Sequence, residues 1–180
     1  PLSVGGQYGW NVQIIDQTDT HATLRIWNGL YAVNAASFAA NAPVAPGSLA
    51  AIFGENLAPS VMAAPSMPLP TSLNGVTVTV NGVPAPIHFV SPGQINIQIP
   101  YETAAGEATI AVMNNGIPAQ TARRRVEPTA PGIFAYTNGQ GQRYSVAWNN
   151  DTANWNTDAT PAGPGALLVV FTTGGGATTP

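Results

Sequence analysis

Asn74-Gly-Val-Thr-Val-Thr-Val-Asn-Gly-Val-Pro-Ala-Pro-Ile-His-Phe-Val-Ser-Pro-Gly-Gln-Ile-Asn-Ile-Gln-Ile-Pro100 is the stretch that decides the fold of this 180-residue chain. Val76, Val78 and Val80 alternate with Thr77 and Thr79, and Asn81-Gly82 follows as a hairpin turn. Ala85, Ile87 and Phe89 then alternate with Pro84, Pro86 and His88, and Ile95, Ile97 and Ile99 alternate with Asn96 and Gln98. A period of two with one apolar face describes strands that are buried on one side. Upstream, Pro46-Gly47 introduces an apolar strand from Leu49 to Phe53 that Gly54 closes. Downstream, a strand from Ala108 to Met113 ends in the turn Asn114-Asn115-Gly116 and returns through Arg123 to Val126. Residues 58 to 72 carry Pro59, Pro65, Pro68 and Pro70, which remove ladder donors, so they are expected to form a loop that builds no ladder. Short strands at regular spacing with turn residues between them indicate an antiparallel β-sandwich.

Composition agrees. With 19 Gly and 17 Pro, long helices are nearly excluded, while 44% hydrophobic residues exclude wholesale disorder. Charged residues are only 7% of the chain, the net charge is -3, and every cation is an arginine. A nucleic-acid partner would call for a broad basic footprint, which is missing. No window approaches the roughly 18 apolar residues of a membrane span. There is no cysteine for disulfides or thiolate zinc, and no lysine for an isopeptide crosslink. Pro1 stands where an initiating Met would, so the chain is expected to be processed or part of a longer one.

Outside the central region, Trp10 to Ile15 and Ala22 to Trp27 alternate around the polar stretch 16–20, which reads as a β-hairpin. An isolated hairpin is marginal in water, so its Trp10, Val12, Ile14 and Ala22, Leu24, Ile26 face requires a cover. Pro128 to Phe134 is a connector, and residues 139 to 163 are polar and rich in Asn, apart from Tyr144 to Trp148. Ala166 to Thr172 is a last apolar strand. Pro46-Gly47-Ser48-Leu49-x-x-Ile52-Phe53 and Pro164-Gly165-Ala166-Leu167-x-x-Val170-Phe171 share their spacing, an internal repeat that places the opening of a second sandwich near residue 161. The resulting division is a hairpin segment at 1–32, a sandwich at 33–127, and a connector with the first strand of an incomplete second unit at 128–180.

Val44-Ala-Pro-Gly-Ser-Leu-Ala-Ala-Ile-Phe-Gly-Glu-Asn-Leu-Ala58, Asn74 to Ile87 and above all Val90 to Pro100 resemble the IPT/TIG type of immunoglobulin-like domain. Within that type they are similar to the version at the C-terminal ends of large secreted proteins of soil bacteria. The resemblance covers about residues 33 to 173 and is specific in 44 to 116. It implies an all-β Ig-like sandwich, an extracellular or cell-surface setting, no cofactor and no catalytic residues. The hairpin lies outside it and resembles the closing strands of a preceding domain.

Catalytic candidates are few. His21 and His88 are the only imidazoles, and no spacing ties either to a serine and an acid. Asp151, Asn154, Asn156 and Asp158 offer oxygens in one loop, but the turn glycine and bidentate Glu of a calcium loop are missing. Arg123 and Arg125 share one face of a strand with Arg124 on the other, which suits an edge guarded by charge. Asn150-Asp151-Thr152 is a glycosylation sequon. Trp148 and Trp155 flank the Asn-rich loop with Tyr136 and Tyr144 near it, a set that suits protein contact or sugar rings.

The reading is a non-catalytic structural or adhesive module whose partners are copies of itself or neighbouring domains, with head-to-tail strand addition into a filament as its sharper form. Trp10, Trp27, Trp148, Trp155, Leu167, Val169 and Phe171 are the candidate interaction residues. The alternatives are a carbohydrate-binding module and an accessory domain of a secreted hydrolase such as a metallopeptidase.

Overall fold

The computed structural model describes residues 10–17, 20, 22–39 and 41–176, and every regular element in them is a β-strand. An N-terminal hairpin pairs β1 (Trp10–Gln17) with β2 (Ala22–Asn28). The central region follows with β3 (Tyr31–Asn34), β4 (Leu49–Phe53), β5 (Met62–Ala63), β6 (Ser72–Leu73), β7 (Val76–Val80), β8 (Val83–Pro84), β9 (Ile87–Val90), β10 (Gln94–Gln98), β11 (Gly106–Asn114) and β12 (Ile117–Val126). The C-terminal region adds β13 (Gly132–Ile133), β14 (Ala135–Thr137), β15 (Arg143–Ser145), β16 (Ala147–Asn149), β17 (Asn154–Trp155), β18 (Leu168–Val170) and β19 (Thr172–Thr173).

Two sheets make the Ig-like sandwich. One runs β3-β4-β10-β9-β5; the other runs β12-β11-β7-β6, with β8 also pairing β7. The apolar phase of the sequence is the inner face. Val76 and Val78 are fully buried from one sheet and Ile52, Ile95 and Ile97 from the other, and Ile110 closes the same core. The turns carry out their part of the alternation. Asn81 and Gly82 both have positive φ (51° and 83°), as do Asn115 and Gly116 (52° and 77°), the geometry that matches the right-handed twist of a tight hairpin.

Two expectations are corrected. Phe89 is only half-buried, and Val90 takes the core position. The cause is a bulge: Ile97 pairs with Ile87 and Asn96 with Phe89, so His88 is the extra residue and the inward phase slips by one. The Pro-rich segment 58–72 does build ladder, because its non-proline stretches keep their donors. β5 pairs with β9 and β6 with β7, and Ala64 N donates to His88 O at 2.8 Å.

β12 lies at the edge of its sheet, covered only near its end by a parallel bridge from Val44 to Val126. Arg123 and Arg125 are exposed on one face. Arg124 shares the other with buried Ala122 and Val126, and its Nη1 donates to Ala42 O at 3.5 Å. Burial lowers the Arg124 pKa and the Glu107 charge raises it in part, which leaves a guanidinium that stays charged.

The C-terminal region is fastened to the sandwich by a small set of polar bonds. Asn34 is buried; its Nδ2 donates to Ala130 O at 2.9 Å, while its Oδ1 accepts from Ala36 N and Ser37 N. Leu49 N donates to Thr173 Oγ1 at 2.8 Å. Within the C-terminal region, β13 pairs with β19 and Ala130 N donates to Gly174 O at 2.9 Å, which ties together the two segments that bond to Asn34 and Leu49.

Candidate functional site

The tryptophan loop is a small hairpin. Asn149 Oδ1 accepts from Asp151 N at 3.1 Å, Ala153 takes positive φ (50°), and Trp148 comes to lie opposite Trp155. β18 pairs with the other side of β16, which puts Val169 opposite Trp148 and Val170 opposite Ala147. Residues paired across antiparallel strands share a face, as do residues two apart on one strand. Trp155, Trp148, Val169 and Phe171 are therefore one surface. The rings confirm it: Trp148 and Trp155 meet edge to face with centroids 5.3 Å apart, and Trp155 meets Phe171 at 5.8 Å.

The expected strand Ala166 to Thr172 is shorter than its composition suggests. It is split into β18 and β19 at Phe171, whose N–H donates to Val146 O and whose carbonyl accepts from Phe134 N. It is also paired along one edge, with β16. Its side chains are open nonetheless. Leu167 is 60% exposed and Leu168, Val169, Val170 and Phe171 are 38–45% exposed, five consecutive apolar residues on the surface. Such a run is unusual on an isolated protein.

Backbone polarity sharpens the point. Leu167 O accepts from Asn150 N, and Phe171 N donates to Val146 O, so the odd residues face β16. By the alternation of an antiparallel ladder, the N–H and C=O groups of Leu168 and Val170 face away from β16. β18 ends the order β17-β16-β18, so that side is an open sheet edge among the described residues.

Beside the tryptophans lies a depression of about 230 Å³ lined by Tyr136, Val146, Ala147, Trp155, Asn156 and Thr157. β14 and β15 supply Tyr136, which stacks on Tyr144 with centroids 5.6 Å apart. Hydrogen bonding with Asp158 raises the Tyr144 pKa above its ordinary value, so that phenol is neutral at physiological pH. Three of the four loop residues considered for calcium serve the backbone, Asp151 Oδ2 accepting from Leu167 N, Asn156 Oδ1 from Ala162 N and Asn154 Oδ1 from Trp155 N, while Asp158 Oδ2 accepts from Asn138 Nδ2.

The remaining candidates lie elsewhere. Trp10 pairs with Asn28 and Trp27 with Asn11, so the two tryptophans occupy adjacent register positions of opposite parity in the hairpin; the burial of that hairpin's faces lies outside the described residues. His21 is likewise outside them. His88 is exposed at the mouth of a hollow formed with Ala35, Phe38, Leu49, Asn96 and Phe134, none of which can serve as an acid or a nucleophile. Among the described residues no helix is long and apolar enough to cross a membrane.

Residue types alone point to Trp148, Trp155, Phe171 and Tyr136, and to Asn156 only as a loop oxygen, whereas Val146 and Thr157 carry no signal, because only the pairing of β16 with β17 and β18 gathers them. Residues 37–124, just under half of the chain, match the family model described as the IPT/TIG domain. No curated protein and no solved structure matches the chain.

Proposed function

We propose, from the match of residues 37–124 to the IPT/TIG domain, a type of non-catalytic Ig-like module that mediates protein–protein contact, that this chain is an extracellular structural or adhesive part that joins copies of itself head to tail by strand addition at β18. The observation that carries this reading is the exposed ribbon Leu167–Phe171 with the open backbone edge beside it. An added strand satisfies the Leu168 and Val170 backbone groups and covers apolar side chains in the same step. The N-terminal hairpin of a neighbouring copy, with its apolar alternation, supplies a strand of matching period. The sparse charge of the chain suits close packing between copies, and the extracellular setting rests on the resemblance to secreted proteins.

Sedimentation velocity over a hundredfold range of concentration tests the proposal. The native chain is expected to form larger species as concentration rises. Val170→Pro removes an outward-facing N–H, a place where an edge strand tolerates proline, and is expected to remain a single small species. A native chain that sediments as one monomer throughout, or a Val170→Pro variant that associates equally, contradicts strand addition at this edge.

A further inference from the structure

The depression beside Trp155 is lined by none of the residues Leu167 to Phe171, and its chemistry differs from that of the β18 backbone edge. We infer that it is a binding site for a neutral hexopyranose glycan, held between Tyr136 and Trp155.

Size is the first argument. At about 230 Å³ the space is below the range that encloses a drug-sized ligand, and it suits one sugar ring of a longer chain that continues into solvent. The walls are the second. Tyr136 is 36% exposed and Trp155 49%, so both rings present area to a ligand. The axial C–H bonds of a pyranose carry partial positive charge and lie well on the negative face of an aromatic ring.

Both rings are held before any ligand arrives. Trp155 is set between Trp148 and Phe171, its carbonyl accepts from Thr160 Oγ1 at 2.6 Å, and Tyr136 rests on Tyr144. Ordering cost on binding is therefore small.

The uncharged, braced lining is the third argument. Asn156 Oδ1 accepts from Ala162 N at 2.7 Å, which holds that lining side chain in place. Thr160 Oγ1 gives its proton to Trp155 O and accepts from Thr157 Oγ1 at 2.9 Å, so both hydroxyls brace the loop behind Trp155. No charged side chain is among the six lining residues and the exposed lining is almost wholly apolar, so the depression offers ring faces to the C–H face of a neutral sugar and gives a uronate or phosphate nothing to pair with.

The test is a tryptophan-fluorescence titration with cellohexaose, chitohexaose and mannohexaose, with oligogalacturonate as the charged comparison. Saturable binding of at least one neutral hexasaccharide is expected. Trp155→Ala and Tyr136→Ala should each weaken it about tenfold or more, and Trp155→Phe should restore most of the loss. Circular dichroism of each variant establishes that it is folded; should Trp155→Ala fail there, half-exposed Tyr136→Ala decides alone. Val170→Pro should bind sugar as the native chain does, which separates this site from the assembly edge. No response to any neutral sugar, response to oligogalacturonate only, or binding that survives both alanine replacements overturns the inference and leaves the depression to a protein partner.

Discussion

Ile97→Ala lowers the free energy of unfolding by about 2 to 5 kcal/mol, the range found when a buried aliphatic side chain is cut back to a methyl. Ile97 has no exposed surface, and its register partners Ala50 and Ile87 are as fully buried. The opposite sheet contributes β-branched Val78 and Ile110 to the same core, side chains with few rotamers with which to fill a space left there. The cost should therefore fall toward the upper part of the range. Gln98, one residue on, points the other way and donates through Nε2 to Gly47 O and to Tyr101 Oη, both at 3.1 Å. Partly solvated hydrogen bonds of that kind contribute about 0.5 to 1.5 kcal/mol, so Gln98→Ala is expected to cost far less than Ile97→Ala. Urea denaturation followed by far-ultraviolet dichroism measures both. Equal losses would contradict the assigned strand phase.

Gly174→Ala is expected to undo the junction between the sandwich and the C-terminal region, at a cost of about 2 to 4 kcal/mol. Gly174 has φ of 88°, and a Cβ there would lie 1.9 Å from Ala130 O and 2.6 Å from its carbonyl carbon. Both are backbone atoms, so no side-chain rotation relieves the overlap. The residues must separate, which takes with it the bond from Ala130 N to Gly174 O, the β13–β19 pairing and the bond from Leu49 N to Thr173 Oγ1. Gly175 is the comparison, since a Cβ there meets nothing within 4 Å; Gly175→Ala should change stability by no more than about 0.5 kcal/mol. Limited proteolysis reads the outcome, with cleavage after residue 127 accelerated in Gly174→Ala and unchanged in Gly175→Ala. Identical digestion of the two variants would show that the junction does not depend on this contact.

The central sandwich was legible because period-two alternation and Asn-Gly turns act locally, and strand and turn chemistry agree at each step from Val76 to Ile99. What escaped was the bulge at His88. Phe89 and Val90 are both apolar, so the pattern is compatible with either as the inward residue, and only the register against β10 decides. The ladder made by residues 62–63 escaped for a related reason: proline density hides the few donors that remain. At the C-terminus the limits are of another kind. Leu167 to Phe171 is continuously apolar and has no alternation from which faces can be read, and β16, its partner, is only three residues long. The aromatic types at Trp148, Trp155 and Tyr136 were visible, yet a cleft made by strands with so few residues is a property of pairing, which no periodicity expresses.

Two features of this chain therefore meet at β18: an apolar ribbon that the fold leaves on the surface, and a backbone edge with donors and acceptors turned outward. Amide hydrogen exchange at Leu168 and Val170, measured from dilute to concentrated solution, tests directly whether a neighbouring copy occupies that edge. Protection of both amides that grows with concentration, while the amide of Val169 within the existing ladder stays nearly constant, is the result predicted by strand addition. Fast exchange of Leu168 and Val170 at every concentration would contradict it.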